Sequence, residues 1–254
     1  MTLASIDIEL SAPVNLRDLG GIATTGGVLR EGFVIRTDDL STITDEVATG
    51  LVDAGLVAII DLRTADEVAI TGRGPLASYP VAYHHLPLMA SIGSSMSKDV
   101  PALDHESMGA MYLSMVETAA PQLVTALNII AHAPGATAFH CAAGRDRTGV
   151  LAACLLLVLG ATDDDIVADY ALTGPNMPAI MERTRIPLSA VMARLGFDFD
   201  SMVGSGLSEG SMDVSMRILL AGLRSRWSDA LEPLRAAGLS DDTMARLRER
   251  AVVV

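Results

Sequence analysis

The ten residues from His140 to Gly149 constrain the fold more than any other part of the chain. They read His-Cys-Ala-Ala-Gly-Arg-Asp-Arg-Thr-Gly. Residues 136–140 predict a short strand that leads into them, and residues 148–159, which contain the apolar stretch 150–159, predict a helix that follows. In an open α/β sheet, ligands bind where a strand passes through such a turn into a helix. The sequence therefore predicts an α/β fold with a ligand site at this turn.

The small residues of this loop suit it to hold an anion. Ala142, Ala143 and Gly144 let the backbone curl tightly, so that successive N–H groups converge on one phosphate beside the N-terminus of the next helix. Arg147 adds a guanidinium group that binds phosphate through paired hydrogen bonds. Arg145 adds a second positive charge. The predicted phosphate-binding residues are therefore 142–147.

Cys141 lies at the base of the same loop. The positive field there should favour its thiolate form at neutral pH. A thiolate below a bound phosphoryl group is placed for in-line attack, which gives a cysteinyl-phosphate that water then hydrolyses to inorganic phosphate. The spacing Cys-x5-Arg thus predicts a cysteine-dependent phosphatase with Cys141 as nucleophile and Arg147 as phosphate ligand.

This loop resembles the active-site loop of the protein-tyrosine-phosphatase superfamily. It is most similar to the atypical bacterial tyrosine/serine phosphatases, the type found in mycobacterial and listerial pathogens, whose pattern is His-Cys-x-x-Gly-Lys-Asp-Arg-Thr-Gly. Further matches follow in order along the chain, at residues 15–21, 36–38, 61–63, 169–172 and 237–240. The resemblance implies a parallel or mixed central sheet flanked by helices, and activity on phosphotyrosine. It leaves phosphoserine, phosphothreonine and phosphoinositides open as further substrates.

Two points of the catalytic apparatus depend on this resemblance. Arg145 stands where the family has a lysine, and it presents a planar fork instead of a mobile point charge, which leaves phosphoinositide activity open. Departure of the leaving group needs a general acid, and no Trp-Pro-Asp segment supplies one. The resemblance implies that Asp146 takes this role, and a structural brace is its alternative. Asp99 and Asp104, in a polar segment 89–106 that predicts a mobile loop, are the next candidates.

Other polar residues could support the loop. His140 is expected to hold the loop and favour the thiolate, and also to be a buried histidine with satisfied hydrogen bonds at the end of a strand. Thr148 is expected to begin the helix and to donate a hydrogen bond to the Cys141 sulfur. Asp61 and Arg63 end a neighbouring strand, where they face the site or form a structural ion pair. A structural role is also favoured for three residues near the N-terminus, with a place at the pocket rim left open for the second: Asn15, Arg17 and Asp18.

The remaining pattern alternates strands and helices in one domain, 1–254, with a catalytic core at about 13–175 and a helical extension at about 176–254. That extension is expected to pack on the sheet or to cover the site as a lid. Further strands are predicted at 33–35, 57–62 and 79–86. Helices are predicted from Thr44 to before Gly55, from a capping box at Thr64–Glu67, and at 108–119, 121–132, 163–172, 175–184, 187–195, 212–225, 227–237 and 240–250, with a flexible connection at 196–210.

Composition limits the partners. The formal net charge of −13 argues against nucleic acid and anionic membranes. Two cysteines in 254 residues indicate a reducing compartment, and Cys154 is expected to be a core thiol. The N-terminus lacks a basic region and the longest apolar run, 150–159, is too short for a bilayer, so we expect a cytoplasmic protein without integral membrane association, with non-standard secretion left open. The histidines lack metal-ligand spacing, so neither a metal nor a cofactor is expected.

Two other functions compete with the phosphatase. A catalytically weak relative would only bind a phosphorylated ligand, and a sulfurtransferase also presents a loop cysteine after a strand. The presence of Cys141, Asp146, Arg147 and Thr148 together argues against the first. The context His-Cys-x5-Arg-Thr-Gly argues against the second. The expected partner is a phosphorylated protein or phosphoinositide substrate.

Overall fold

The computed structural model describes residues 8–91, 104–196 and 211–254. The strands are β1 Arg17–Asp18, β2 Ala23–Thr24, β3 Gly27–Leu29, β4 Val34–Thr37, β5 Leu56–Asp61, β6 Ala82–His85, β7 Ala136–His140 and β8 Val252–Val253. The helices are α1 Asp45–Asp53, α2 Ala65–Thr71, α3 His105–Thr118, α4 Ala120–His132, α5 Asp146–Leu159, α6 Asp163–Ala171, α7 Met177–Leu195, α8 Asp213–Arg226, α9 Glu232–Ala236 and α10 Asp241–Ala251.

The central sheet has the strand order β1-β4-β7-β5-β6. Strands β4, β7, β5 and β6 are parallel, and the short edge strand β1 is antiparallel to β4. The register pairs His140 with Thr37 on one side and with Asp61 on the other, and it pairs Asp61 with His85. The carboxyl ends of the parallel strands therefore form one row, and the predicted α/β class with a mixed sheet is confirmed.

Apolar side chains alternate between the two faces of the sheet. Ala138, Ile35 and Ile59 pack in one cluster against α1, whereas Phe139 and Ile60 pack in the other. That second cluster is the larger one, and residues of α3, α4, α5, α6, α8 and α10 complete it. Helices on both faces explain why β7 is buried along its whole length.

A second, smaller sheet was not predicted. Strand β3 pairs antiparallel with β2 and with β8, so strand β8, which follows α10, packs beside the β2–β3 hairpin. These strands are two or three residues long, too short to produce a readable alternation in the sequence.

Several element boundaries differ from the prediction. Helix α5 begins at Asp146, two residues before the predicted start, which places Asp146 and Arg147 in its first turn. Helix α7 runs without a break through Pro187, because a proline kinks a helix but does not have to end it; Gly196, in the left-handed conformation, caps it instead. Helix α9 is shorter than predicted, and most of the predicted loop 89–106 and connection 196–210 lies outside the described residues.

Among the described helices, none has by itself the length and apolar character needed to cross a bilayer. Taken together, α3 and α4 would meet those two criteria, with a bend of 76° between them.

Candidate active site

The predicted loop begins where β7 ends and stops where α5 begins. Its carbonyl groups are bonded by donors from the surrounding structure. The backbone N–H of Asp39 donates to the Ala142 carbonyl at 3.1 Å, and the side-chain amide of Asn15 donates to the carbonyls of Ala143 and Gly144, each at 3.2 Å. Because these bonds hold the carbonyls outward, we expect the opposite edges of the peptide units, which carry the N–H groups, to face an anion. Asn15 therefore has a structural role, as predicted.

Two glycines of the motif are fixed by close contacts. Gly144 has a φ of +65°, and a Cβ atom there would lie 2.5 Å from the Thr37 carbonyl oxygen. Gly149 lies under Tyr170, whose ring carbon Cδ2 would be 2.9 Å from an added Cβ. A side chain at either position would displace the loop or the tyrosine, so the tight turn requires both glycines.

A buried cluster braces the back of the loop. The Asp169 carboxylate accepts hydrogen bonds from Arg17 Nε at 2.8 Å and from Arg36 Nη1, and Arg36 Nη2 donates to the Gly144 carbonyl at 3.0 Å. Burial would raise the pKa of Asp169, but the two guanidinium groups outweigh burial and lower it. Arg17 is thus a brace and not part of the pocket rim. Asp18 holds a nearby turn, where it accepts from the amides of Gly20 and Gly32, each at 2.6 Å.

Arg147 is oriented by a carboxylate that the sequence did not assign to the site. Its Nη1 and Nη2 donate to the two Glu67 oxygens at 2.6 and 2.9 Å. Glu67 also completes the predicted capping box, because its carboxylate accepts from the Thr64 amide at 2.7 Å. Burial would raise the pKa of Glu67, but Arg147 lowers it overall, so the pair stays ionised. In the sequence, the capping box was a sufficient explanation for Glu67, so its contact with Arg147 was not predicted.

Asp61 and Arg63 form the structural ion pair that was one of their two predicted roles. Arg63 bonds protein acceptors through all three nitrogens: Nε and Nη2 donate to the Asp61 carboxylate at 2.9 and 2.6 Å, and Nη1 donates to Asp39 at 3.0 Å. Both side chains are buried. His140 and Arg63 lower the pKa of Asp61 in spite of its burial. With its nitrogens occupied in this way, Arg63 serves to join two loops.

Cys141 is buried at the base of the loop, next to the buried His140. His140 Nδ1 lies 3.4 Å from the Leu40 amide and 3.2 Å from the Cys141 carbonyl oxygen, and Nε2 lies 3.7 Å from the Asp61 carboxylate. Burial lowers the pKa of His140, so it is neutral at pH 7. His140 therefore holds the strand end by hydrogen bonding and supplies no positive charge to the thiolate.

The Thr148 hydroxyl is fully buried, and it has no hydrogen-bond partner among the residues that the structure describes. The predicted bond to the Cys141 sulfur is thus not formed here, although Thr148 lies in the first turn of α5. An unpaired buried hydroxyl is costly unless another state uses it. Cys154 lies in the core, where burial raises its pKa to about 12, as expected for an unreactive thiol.

Asp146 is the most open of the charged side chains in the loop. Its side chain is 28% exposed, against 5% for Arg145 and 9% for Arg147. The Tyr112 hydroxyl donates to Asp146 Oδ1 and lies 2.7 Å from the Tyr170 hydroxyl. Arg145 Nε lies 3.3 Å from that Tyr170 oxygen and 3.4 Å from Asp146 Oδ1. No sequence pattern joins these residues, because they come from three helices and meet only in the fold.

One of the two competing acids has a structural explanation. Asp104 caps α3 and accepts a hydrogen bond from the Ser107 amide at 2.8 Å, which explains it as a structural residue. Asp99 lies outside the described residues.

Helix α7 lies over one side of the loop. Thr184, Leu188 and Val191 of this helix line a narrow cavity together with Glu67 and Ala142. Arg183 anchors helix α7, because it donates to the Asp38 carboxylate at 2.6 Å and to the Asp39 carbonyl at 2.9 Å. Part of the helical extension thus lies beside the loop, and its role as a lid stays a prediction.

Comparison with known proteins agrees with this geometry. A family model described as "Tyrosine phosphatase family" matches residues 8–253. A tyrosine-protein phosphatase from Nostoc commune is 29% identical over 219 residues, which cover 85% of this chain and 73% of the relative. The triple specificity protein phosphatase PtpB of Mycobacterium tuberculosis is 27% identical over 280 residues, which cover 94% of this chain and 97% of the relative.

Proposed function

The chain belongs to the tyrosine phosphatase family, and from that premise we propose that it hydrolyses phosphotyrosine through a cysteinyl-phosphate formed on Cys141. It is a protein-tyrosine phosphatase, and its partner is a phosphorylated substrate. The observation that supports the cysteine mechanism is the position of Cys141, buried at the base of a loop whose carbonyls are bonded outward.

Attack by the Cys141 thiolate forms the P–S bond and breaks the bond from phosphorus to the tyrosine oxygen. Charge spreads over the equatorial oxygens of the phosphoryl group in the transition state. Arg147 contacts them in this proposal with the N–H groups that Glu67 leaves free, since its Nη1 and Nη2 each carry two hydrogens and Glu67 accepts one from each. Because Glu67 fixes the guanidinium plane beforehand, little reorganisation is needed when the charge develops.

Asp146 protonates the leaving oxygen in this proposal. It is the open carboxyl of the loop, and Arg145 Nε lies 3.4 Å from its Oδ1. In the second step the same carboxylate takes a proton from the water that attacks phosphorus, and the P–S bond breaks to release inorganic phosphate. The Thr148 hydroxyl, which has no partner in the described part of the chain, is then available to donate to the departing thiolate.

We also propose phosphoinositide monoesters as a second substrate class. Arg145 Nη2 is buried and has no partner within the described part of the chain, so it is a donor available to a second anionic group. The M. tuberculosis relative is called a triple specificity phosphatase, which supports a broad range. Parallel assays of phosphotyrosine, phosphoserine and phosphothreonine peptides and of phosphoinositides would test this range. Turnover of the phosphotyrosine peptide alone would contradict it.

The acid role of Asp146 is tested with Asp146→Asn, which keeps the shape and removes the proton. A poor leaving group needs protonation, whereas p-nitrophenolate leaves without help. We expect kcat to fall by about 10²–10⁴-fold for phenyl phosphates with poor leaving groups and much less for p-nitrophenyl phosphate. If the variant loses the same factor on every substrate, Asp146 is a structural brace.

A further inference from the structure

Four polar side chains form a continuous line beside the nucleophile loop. Arg145 Nε lies 3.3 Å from the Tyr170 hydroxyl, which lies 2.7 Å from the Tyr112 hydroxyl, which bonds Asp146 Oδ1. Tyr112 is completely buried in α3, and Tyr170 is completely buried in α6 against Gly149. The nucleophilic mechanism does not use either tyrosine.

The direction of these hydrogen bonds is fixed by their two ends. A guanidinium group only donates and an ionised carboxylate only accepts. Tyr112 must therefore give its one proton to Asp146, Tyr170 must give its proton to Tyr112, and Arg145 donates to Tyr170. The three hydrogen bonds therefore all run in the same direction, from Arg145 towards Asp146, and the last of them ends on Oδ1. Among the residues that the structure describes, no hydrogen bond reaches the other oxygen, Oδ2.

We propose that Tyr112 is a positioning residue for the phosphatase reaction, because its hydroxyl occupies Oδ1 of Asp146 and so leaves Oδ2 to carry the proton that goes to the leaving oxygen. This inference rests on the proposed acid role of Asp146. In the forward step the Oδ2–H bond breaks and the leaving phenol gains that proton. Tyr112 keeps its own proton and bonds the carboxylate that forms. In the second step Oδ2 takes a proton from the attacking water, so the acid is restored.

The tyrosines themselves do not titrate in the range where the enzyme would be assayed. Burial and the Asp146 charge raise the pKa of Tyr112 well above its usual value, and the same two causes raise the pKa of Tyr170. Burial would lower the pKa of Arg145, but Asp146 and the tyrosines raise it overall. Within the described part of the chain, the titratable and charged groups that interact with Asp146 are Tyr112 of α3, Tyr170 of α6, and its neighbours Arg145 and Arg147, while His105 of α3 interacts with Arg145. Burial and Arg145 lower the pKa of His105, which leaves it neutral.

The test compares wild type, Tyr112→Phe, Asp146→Asn and the double variant on phenyl phosphate and p-nitrophenyl phosphate. Phenylalanine keeps the packing and removes only the hydroxyl. Since Tyr112 donates one charge-assisted hydrogen bond, we expect kcat of Tyr112→Phe to fall about tenfold on phenyl phosphate and less than about twofold on p-nitrophenyl phosphate. When Asp146→Asn is already present, adding Tyr112→Phe should change kcat by less than about twofold more.

The dependence on the leaving group is a readout that packing alone would not move, because phenyl phosphate needs the proton from Asp146 and p-nitrophenyl phosphate does not. The matched control is Tyr79→Phe, which removes a tyrosine hydroxyl bonded to Thr49 at 2.7 Å and lies on the other face of the sheet. Its kcat on both substrates should match wild type.

The outcomes separate the two claims. An equal loss on both substrates, or the same loss with and without Asp146, would reduce Tyr112 to a packing residue and leave the acid role intact. If Asp146→Asn alone shows no dependence on the leaving group, the acid role fails and this inference fails with it. Tyr112→Phe is replaced by Tyr170→Phe if thermal unfolding shows that it does not fold. Tyr170→Phe keeps the hydrogen bond from Tyr112 to Asp146 but removes the hydroxyl that donates to Tyr112. It should cause a loss of about twofold to threefold on phenyl phosphate, and an unchanged rate would overturn the proposal.

Discussion

Arg63 and Arg147 are both buried arginines near the carboxyl ends of the strands, and both are paired with a buried carboxylate. Arg63 donates to protein acceptors through all three of its nitrogens, which join Asp61 to Asp39. Among the described residues, Arg147 is held by Glu67 alone, through one hydrogen on each terminal nitrogen. The first region, Asp39, Asp61 and Arg63, is a bracing cluster. In the second region, Glu67 and Arg147, each terminal nitrogen of the arginine still has one N–H group that Glu67 does not use. That difference separates an arginine that holds the fold from one that can contact a substrate.

The sharpest way to break this comparison is to make the same conservative change on both sides. Arg147→Lys keeps the charge but loses the planar pair of contacts, so we expect kcat to fall about 10²–10³-fold with a smaller change in KM. Arg63→Lys should instead lower the free energy of unfolding by about 2 kcal/mol and leave kcat of the folded enzyme within about threefold. Steady-state kinetics and urea unfolding of both variants measure this. An equal loss of kcat in both would show that the two arginines do not differ in role.

Acid unfolding distinguishes the two regions by pH. The pKa values of Glu67 and Asp61 are both below their usual values of 4.5 and 3.8, because Arg147 and Arg63 with His140 outweigh burial. The unfolded chain binds more protons there, so stability falls as pH falls, first below 4.5 for Glu67 and then below 3.8 for Asp61, by up to about 1.4 kcal/mol per pH unit for each group. Glu67→Gln should remove the higher-pH part of this loss and Asp61→Asn the lower part, measured by urea unfolding at stepped pH. Curves that coincide with wild type would contradict the assignment.

The smallest expected effect concerns access to the site. Helix α7 lies over the loop but its Arg183 anchor bonds the strand ends, outside the reaction loop. If α7 acts as the predicted lid, amide hydrogen exchange in 177–195 should slow by about threefold to tenfold when vanadate occupies the loop, while exchange in α4, remote from the site, stays unchanged. No change in α7 would show that it is a fixed wall.

The strand, turn and helix around the loop could be predicted because their pattern is local. A strand, a glycine turn and a helix start follow one another, so the roles proposed for Cys141, Arg147 and the anion cradle rest on neighbouring residues. Helix α1, with a start at about Thr44, was predicted for the same reason. What failed depended on the fold: Tyr112 and Asp146 are 34 positions apart, and Glu67 and Arg147 are 80 apart. Residues so far apart in the chain form no recognisable sequence pattern.

For Asp61 and Arg63, the sequence likewise could not decide the role. Their sequence allowed a substrate contact or an ion pair, and only the number of acceptors around Arg63 decided between them. Likewise, the sequence suggested that Pro187 divides a helix, whereas α7 continues to Gly196. Long-range contacts that no local pattern records, such as the bonds from Arg183 to Asp38 and Asp39, hold that helix against the rest of the fold.

The central claim is that phosphate passes through a covalent bond to Cys141. Wild-type enzyme should be mixed with p-nitrophenyl phosphate, quenched in acid within the first turnovers, digested and analysed by mass spectrometry. We predict one added phosphoryl group on the peptide that contains Cys141, and none in Cys141→Ser, which should fold but show no measurable turnover because a serine hydroxyl is barely ionised at neutral pH. Phosphate on another residue, or appreciable turnover by Cys141→Ser, would contradict the mechanism.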